Sequence, residues 1–307
     1  MIDHIKRIVI AGAGIMGSSM AWLFAAHGYE VALYDISEEA IARSRELVRI
    51  NQEAAPQAEN TIRQIVFTCE KECFRNVDFV IEAVIEKIAV KNNFWNEISV
   101  MVPETAVLSS NTSGLSLTQI AETVKKPERF CGMHWLNPPH ICPLVEIIKG
   151  EKTSESTMDI VYRVAQDIGR LPVKLKKEVP GFLVNRFQFA ILREAMSLVE
   201  SGVCEKEDVD KVFKYGLGLR YACRGPFEIA DLGGLDTFYS IAEYLFADIS
   251  DAKQVPRMLA ELYENGDYGV KTGRGFYDYS EGRGEEAIKR RDRDFLKVSR
   301  CLYGDLH

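Results

Sequence analysis

The stretch that most limits what this chain can fold into is KRIVIAGAGIMGSSMAWLFAA, residues 6–26. A run of buried-strand character, 6–11, passes straight into Gly12-Ala13-Gly14-Ile15-Met16-Gly17. A helix-favouring run, 18–26, follows and stops at Gly28. A second strand pattern, 30–34, ends on Asp35. G-x-G-x-x-G alone is a weak signal, shared with glycine-rich turns of unrelated α/β proteins. Between a strand and a helix, with an acid closing the next strand, it is a dinucleotide-binding fingerprint. Gly12 is expected to make the tight turn, Gly14 to let backbone approach a pyrophosphate, and Gly17 to let helix and strand pack closely. The helix start at Ile15 and Met16 then faces the phosphates with free N–H groups. Asp35 can accept from both ribose hydroxyls and would repel a 2′-phosphate, which selects NAD over NADP.

The same grammar continues to about residue 176. Ser37 is placed to cap a helix reaching about Ile50, and 51–60 is a polar connection. Strand patterns recur at 65–68, 77–83, 106–110, 143–149 and 172–176, with helical patterns at 87–102 and, capped by Ser154, to about Ile168. Such alternation predicts a doubly wound, mostly parallel sheet with helices on both faces, a Rossmann-type α/β domain. Ligands of such sheets sit at the carboxyl ends of the strands. Glu86, Asn111, Ser113 and His134 are all expected just past strand ends, on that rim. After Val179-Pro180-Gly181 only helical patterns remain: 182–200, 206–215, 235–247, 255–265 and 285–302. Residues 1–180 are therefore expected to form the cofactor-binding domain, and 181–307 an all-helical domain.

A formal net charge of −7 argues against nucleic acid or an anionic membrane surface as partner. Seven scattered cysteines show no zinc-ligand spacing, so free thiols, no metal and a cytoplasmic setting are expected. No run is long enough to span a membrane, and the N-terminal run is too short for a signal peptide. The chemistry-bearing stretch is CGMHWLNPPHICPLVEII, residues 131–148. His134 ends one apolar run and Glu146 sits inside the next. A histidine held by a buried carboxylate is a way to build a general base near neutral pH. A lone histidine in such a place is more often structural, so the weight rests on its company.

Taken in order, the motifs resemble the short-chain L-3-hydroxyacyl-CoA dehydrogenase family over nearly the whole chain. They are GAGIMG with Asp35, EAVIEKIAVK (82–91), SSNTSGLS (109–116) and His134 with Asn137-Pro138. Glu146 in PLVEII, PGFLVNR (180–186), GPFEIADLGGLD (225–236) and KTGRGFYDY (271–279) continue the series. The resemblance implies an NAD-dependent oxidation of a secondary alcohol and a homodimer formed through the helical domain. It implies His134 as general base oriented by Glu146, with Ser113 and Asn185 bonding the reacting oxygen. Asn185 would enter from the start of the second domain. It also implies Glu86, Lys91, Asn111 and Ser113 along the nicotinamide end of the cofactor, with Lys271 approaching from the helical domain.

Three features depart from the acyl-CoA pattern. The segment 37–64 carries Arg43, Arg45 and Arg49 but none of the lysines that contact a CoA nucleotide in that family. The loop WLNPPH (135–140) and the run GLGLRYACRGP (216–226) also differ. These resemble the branch acting on free hydroxycarboxylates, which includes gulonate 3-dehydrogenase (lambda-crystallin), carnitine dehydrogenase and a pyridine-carboxylate dehydrogenase. The expected small-molecule substrate is a (S)-3-hydroxyacyl-CoA such as 3-hydroxybutyryl-CoA, with a free hydroxycarboxylate as the alternative. A non-catalytic, crystallin-like NAD-binding protein stands further back. In the free-acid reading Arg220 clamps the carboxylate; otherwise it is a surface arginine or an ion-pair member. His140 is either a substrate contact or a loop residue bonded to backbone.

Overall fold

In the computed structural model, residues 5–54 and 61–304 are described. The polar connection expected at 51–60 begins inside a helix, and its remainder, 55–60, lies outside the described residues. The described residues divide into two compact units, one ending at Asn185 and the other of residues 186–304. That division places Asn185 in the first unit.

The first unit is built on one eight-stranded sheet: β1 (Arg7–Ala11), β2 (Glu30–Tyr34), β3 (Ile65–Thr68), β4 (Phe79–Glu82), β5 (Val107–Ser110), β6 (Phe130–Trp135), β7 (Leu144–Ile148) and β8 (Leu171–Leu175). Their spatial order is β3-β2-β1-β4-β5-β6-β7-β8. Every neighbouring pair is parallel except β6 and β7, which are antiparallel. The order reverses between β1 and β4, which is the switch point where such sheets bind ligands. The strands read as near-continuous apolar runs because helices cover both faces: α1 (Ile15–Ala26), α2 (Glu38–Ala54), α3 (Ile88–Met101), α4 (Leu117–Ala121) and α5 (Glu155–Asp167). One core layer packs α1, with Trp22 and Phe24, and α5, with Val161 and Val164, on one face. The other packs α3, with Trp95 and Ile98, and α4, with Leu117 and Ile120. Ser37 and Ser154 cap their helices, accepting from Ala40 N at 3.2 Å and Thr157 N at 3.2 Å.

His134 lies within β6 rather than past its end, a correction to the expected rim position. The reversal of β7 keeps it useful: antiparallel pairing sets His134 directly opposite Glu146. Side chains opposed in this way project to the same face and meet.

The second unit is helical: most of α6 (Val184–Glu200), then α7 (Lys206–Val212), α8 (Gly218–Cys223), α9 (Pro226–Gly233), α10 (Leu235–Leu245), α11 (Arg257–Glu264) and α12 (Arg283–Tyr303). Residues Phe213–Leu217 form a π-helical turn joining α7 to α8, so the helix predicted for 206–215 runs on to Cys223. Within this unit only Met196 and Gly284 are buried.

Candidate active site

The glycine turn has the shape its pattern requires. Gly12 has φ +112°, and a Cβ there would lie 2.4 Å from the Ala83 carbonyl oxygen. A Cβ on Gly17 would lie 1.8 Å from the Gly12 carbonyl oxygen, so α1 can approach β1 this closely only with glycine. Nothing lies within 4 Å of the Cβ position of Gly14. Gly14 starts α1 with no side-chain cap and no acid in the first turn, leaving its N–H groups free for an anion. Ile15 is 62% exposed beside them, with Met16 half-buried.

Asp35 joins this turn to the end of β2. Its Oδ2 accepts from Ala13 N at 2.8 Å and its Oδ1 from Ser37 N at 3.0 Å. Each carboxylate oxygen retains a second lone pair. The cleft beside it, about 1010 Å³, is lined among others by Gly12, Gly14, Ile15, Asp35 and Phe94. An open phosphate-sized turn, a free helix start and an acid facing the same cleft fit a dinucleotide.

His134 is buried, and its Nδ1 lies 2.7 Å from Glu146 Oε2. A carboxylate only accepts, so Nδ1 carries the proton and Nε2 presents a lone pair in the neutral ring. Glu146 is fully buried, and its Oε1 accepts from Leu183 N at 2.8 Å and Val184 N at 3.1 Å. Burial pushes the Glu146 carboxyl up. The His134 bond and the two amides outweigh it and hold the group below its ordinary value. The His134 ring also packs on Phe182, with centroids 5.5 Å apart.

Beyond the ends of β4 and β5 lies a second, more extensive polar cluster. Glu86 Oε1 accepts from Thr112 Oγ1 at 2.5 Å and from Ser113 N at 2.8 Å. Burial raises the Glu86 carboxyl, but Thr112, the Lys91 charge and Ser113 N together lower it below its usual range. Lys91 is fully buried and donates to Glu82 Oε1 at 2.5 Å and the Val84 carbonyl at 3.3 Å, with Glu86 Oε2 at 3.2 Å. Its three N–H groups thus have partners inside the protein. Asn111 Oδ1 accepts from Trp135 N at 2.9 Å, and Asn185 Nδ2 donates to the Ser113 carbonyl at 2.7 Å.

The structure therefore brings Glu86, Lys91, Ser113 and Asn185 into one hydrogen-bonded set, while Asn111 ties the end of β5 to Trp135 N on β6, the strand that carries His134 opposite Glu146. His140 is half-buried in the loop after β6. Arg220 lies exposed on α8, with no ion pair among the described residues, and Lys271 is exposed in a turn of the second unit. Sequence reasoning missed Glu82, the fully buried partner of Lys91. The available signal was an acid inside the apolar run VIEAVIE (80–86) with a lysine on the following helix. Among the described residues no His, Cys, Asp and Glu cluster could hold a metal ion, and no helix is long and apolar enough to cross a membrane.

A doubly wound sheet with this fingerprint and a histidine–carboxylate pair on the same sheet defines a nicotinamide-dependent dehydrogenase. The NAD binding domain of the 3-hydroxyacyl-CoA dehydrogenases matches residues 7–179, and their C-terminal domain matches 181–279. The chain belongs to the 3-hydroxyacyl-CoA dehydrogenase family, whose members are NAD-dependent enzymes acting on hydroxyl groups. It is 37% identical over 308 residues to the 5-formyl-3-hydroxy-2-methylpyridine 4-carboxylate 5-dehydrogenase of Mesorhizobium japonicum, covering 98% of this chain and 99% of that one. It is 38% identical over 289 residues to the "Probable 3-hydroxybutyryl-CoA dehydrogenase" of Bacillus subtilis, covering 91% and 99%. Among solved structures, that of a 5-formyl-3-hydroxy-2-methylpyridine 4-carboxylic acid 5-dehydrogenase, described as an NAD+-dependent dismutase, superposes with a TM-score of 0.92 at 36% identity, covering 98% and 99%.

Proposed function

We propose that this chain oxidises the secondary hydroxyl of a small-molecule substrate, with His134 as general base and Glu146 as its orienter. The observation that carries this reading is the 2.7 Å contact between His134 Nδ1 and Glu146 Oε2, with Oε1 spent on two backbone amides. Bound NAD supplies the hydride acceptor. Gly12, Gly14 and Gly17, with Ile15 and Met16 at the start of α1, would hold its pyrophosphate, and Asp35 its ribose. His134 Nε2 takes the hydroxyl proton as the carbinol carbon loses its hydride. The imidazolium so formed is stabilised by a carboxylate that stays ionised through the neutral range. Ser113 Oγ and the second N–H of Asn185 are the groups to hold the reacting oxygen, where charge develops. Residues 1–180 form the NAD-binding domain in this reading, and 181–307 the substrate and dimerisation domain.

The family supports a (S)-3-hydroxyacyl-CoA as substrate. A second reading, a free hydroxycarboxylate bound by Arg220, is favoured by the state of α2. Arg43 lies 4.0 Å from Glu39, Arg49 is paired with Glu46 at 2.5 Å, and Arg45 stacks over Phe67 at 4.3 Å. Those three arginines are the cations of α2, and each already has a partner inside the chain. His140 would touch the substrate in either case. The near absence of buried side chains in the second unit supports a homodimer through its helices, and seven free thiols suit the cytoplasm.

Steady-state assays with NAD and 3-hydroxybutyryl-CoA, beside gulonate and carnitine, test the reading. Turnover on the thioester alone supports the first substrate class, and turnover on free acids alone the second. His134→Ala should lower the rate about 10²–10⁴-fold with NAD affinity retained. A near-normal rate in that variant sinks the base assignment.

A further inference from the structure

Glu82, at the end of β4, is the most heavily bonded carboxylate in the sheet. Oε1 accepts from Lys91 Nζ at 2.5 Å and Val84 N at 2.9 Å. Oε2 accepts from Ser110 Oγ at 2.6 Å and Trp95 Nε1 at 3.3 Å. Four donors fill the four acceptor positions of a carboxylate, so Glu82 is ionised. Lys91 sits between Glu82 and Glu86 and supplies one positive charge against two negative ones. The cluster therefore carries a net charge of about −1. Glu82 and Lys91 are buried, at side-chain exposures of 0% and 1%, and bulk water does little to screen them.

The position of this charge matters because of the strand order. A dinucleotide held with its pyrophosphate at the Gly12–Gly17 turn and its ribose at Asp35 would place its adenosine half on the β2 side of the β1–β4 junction. The other half would extend over the ends of β4 and β5. The oxidised nicotinamide ring is cationic and the reduced ring neutral. A fixed negative charge under that half attracts one form and is indifferent to the other.

We infer that the Glu82–Lys91–Glu86 cluster is a specificity-determining element that favours the oxidised over the reduced cofactor through its one uncompensated negative charge. The inference rests on the cofactor-binding reading above and not on the identity of the base or the substrate. Its consequence is directional: the cluster shifts the balance of affinities toward NAD+, which suits alcohol oxidation.

The measurement is the pair of dissociation constants for NAD+ and NADH, by calorimetry or by quenching of intrinsic fluorescence, with no turnover involved. Glu82→Gln removes one negative charge and should raise the ratio Kd(NAD+)/Kd(NADH) on the order of 10-fold. The double variant Glu82→Gln/Lys91→Met leaves the single charge of Glu86 and should return the ratio towards the wild-type value. A merely structural role for Glu82 predicts the opposite, since the double variant disturbs more packing. An unchanged ratio in Glu82→Gln, or a double variant as displaced as the single one, overturns the inference. Should the Glu82 variants not fold, Glu86→Gln decides: it should shift the ratio in the same direction by less, because Glu86 is 43% exposed, and no shift overturns the inference. A wild-type protein that binds neither form would overturn the cofactor reading itself, whereas equal loss of both affinities in Glu82→Gln would overturn only this inference.

Discussion

Glu146 has no exposed surface yet accepts three hydrogen bonds, one from His134 and two from the chain at Leu183 and Val184. Its carboxyl is held below the ordinary value of 4.5 despite burial. A depressed folded-state value contributes stability that is present above the unfolded value and lost as pH falls through the folded one. Thermal unfolding followed from pH 7 into the acid range should therefore show Tm falling below about pH 4.5, and Glu146→Gln should flatten that fall. The same variant leaves His134 Nδ1 facing an amide that can no longer stabilise an imidazolium. It should lower kcat about 10²–10⁴-fold with NAD affinity little changed. A kcat within a few-fold of wild type would remove Glu146 from the mechanism. The His134–Glu146 pair was legible in the sequence because both interrupt apolar runs. Glu82 interrupts one too, but its partners Lys91, Trp95 and Ser110 come from α3 and β5, which only the folded sheet brings to it.

At the level of elements, the fingerprint turn was the most legible part, because steric limits leave little choice at its glycines. Gly17 shows how little. A methyl group there meets the Gly12 carbonyl oxygen at 1.8 Å, and backbone rather than a movable side chain must give way. Gly17→Ala should lower NAD affinity by at least about 10-fold and destabilise the domain by about 1–3 kcal/mol, the range for overpacked sites. Chemical denaturation beside a binding titration would test both, and wild-type values for the two would contradict the geometry. The strand β6 was less legible, since FCGMHW lacks the β-branched residues that mark the other strands. Its antiparallel pairing with β7 follows from the connection between them, residues 136–143, which is too short for a crossover helix. The passage from α7 to α8 was hidden for another reason. Gly216 and Gly218 read as a break, whereas a π turn carries the helix through them; a Cβ on Gly218 would meet the Phe213 carbonyl oxygen at 2.5 Å.

For the molecule as a whole, burial is distributed very unevenly. Met196 is the only buried apolar side chain from residue 186 onward among the described residues, while the first unit has two well-filled core layers. Helices α9 and α10 instead expose Phe227 at 86%, Leu232 at 78%, Tyr239 at 67% and Tyr244 at 66%. An apolar surface of that extent is far from the scattered exposure normal for a monomer and marks an association face. Helical segments that bury almost nothing have little to offset their conformational entropy, which supports the proposed association with a partner. We propose a second copy of the chain as that partner. Sedimentation equilibrium at micromolar concentration should give twice the chain mass of 34.7 kDa, and thermal stability should rise with protein concentration. Charge placed on the exposed face, as in Leu232→Arg with Tyr239→Arg, should shift the protein towards a destabilised monomer while leaving the isolated glycine turn untouched in sequence. A wild-type monomer whose helical unit resists proteolysis as well as the sheet does would contradict the dimer and require those helices to be stable on their own.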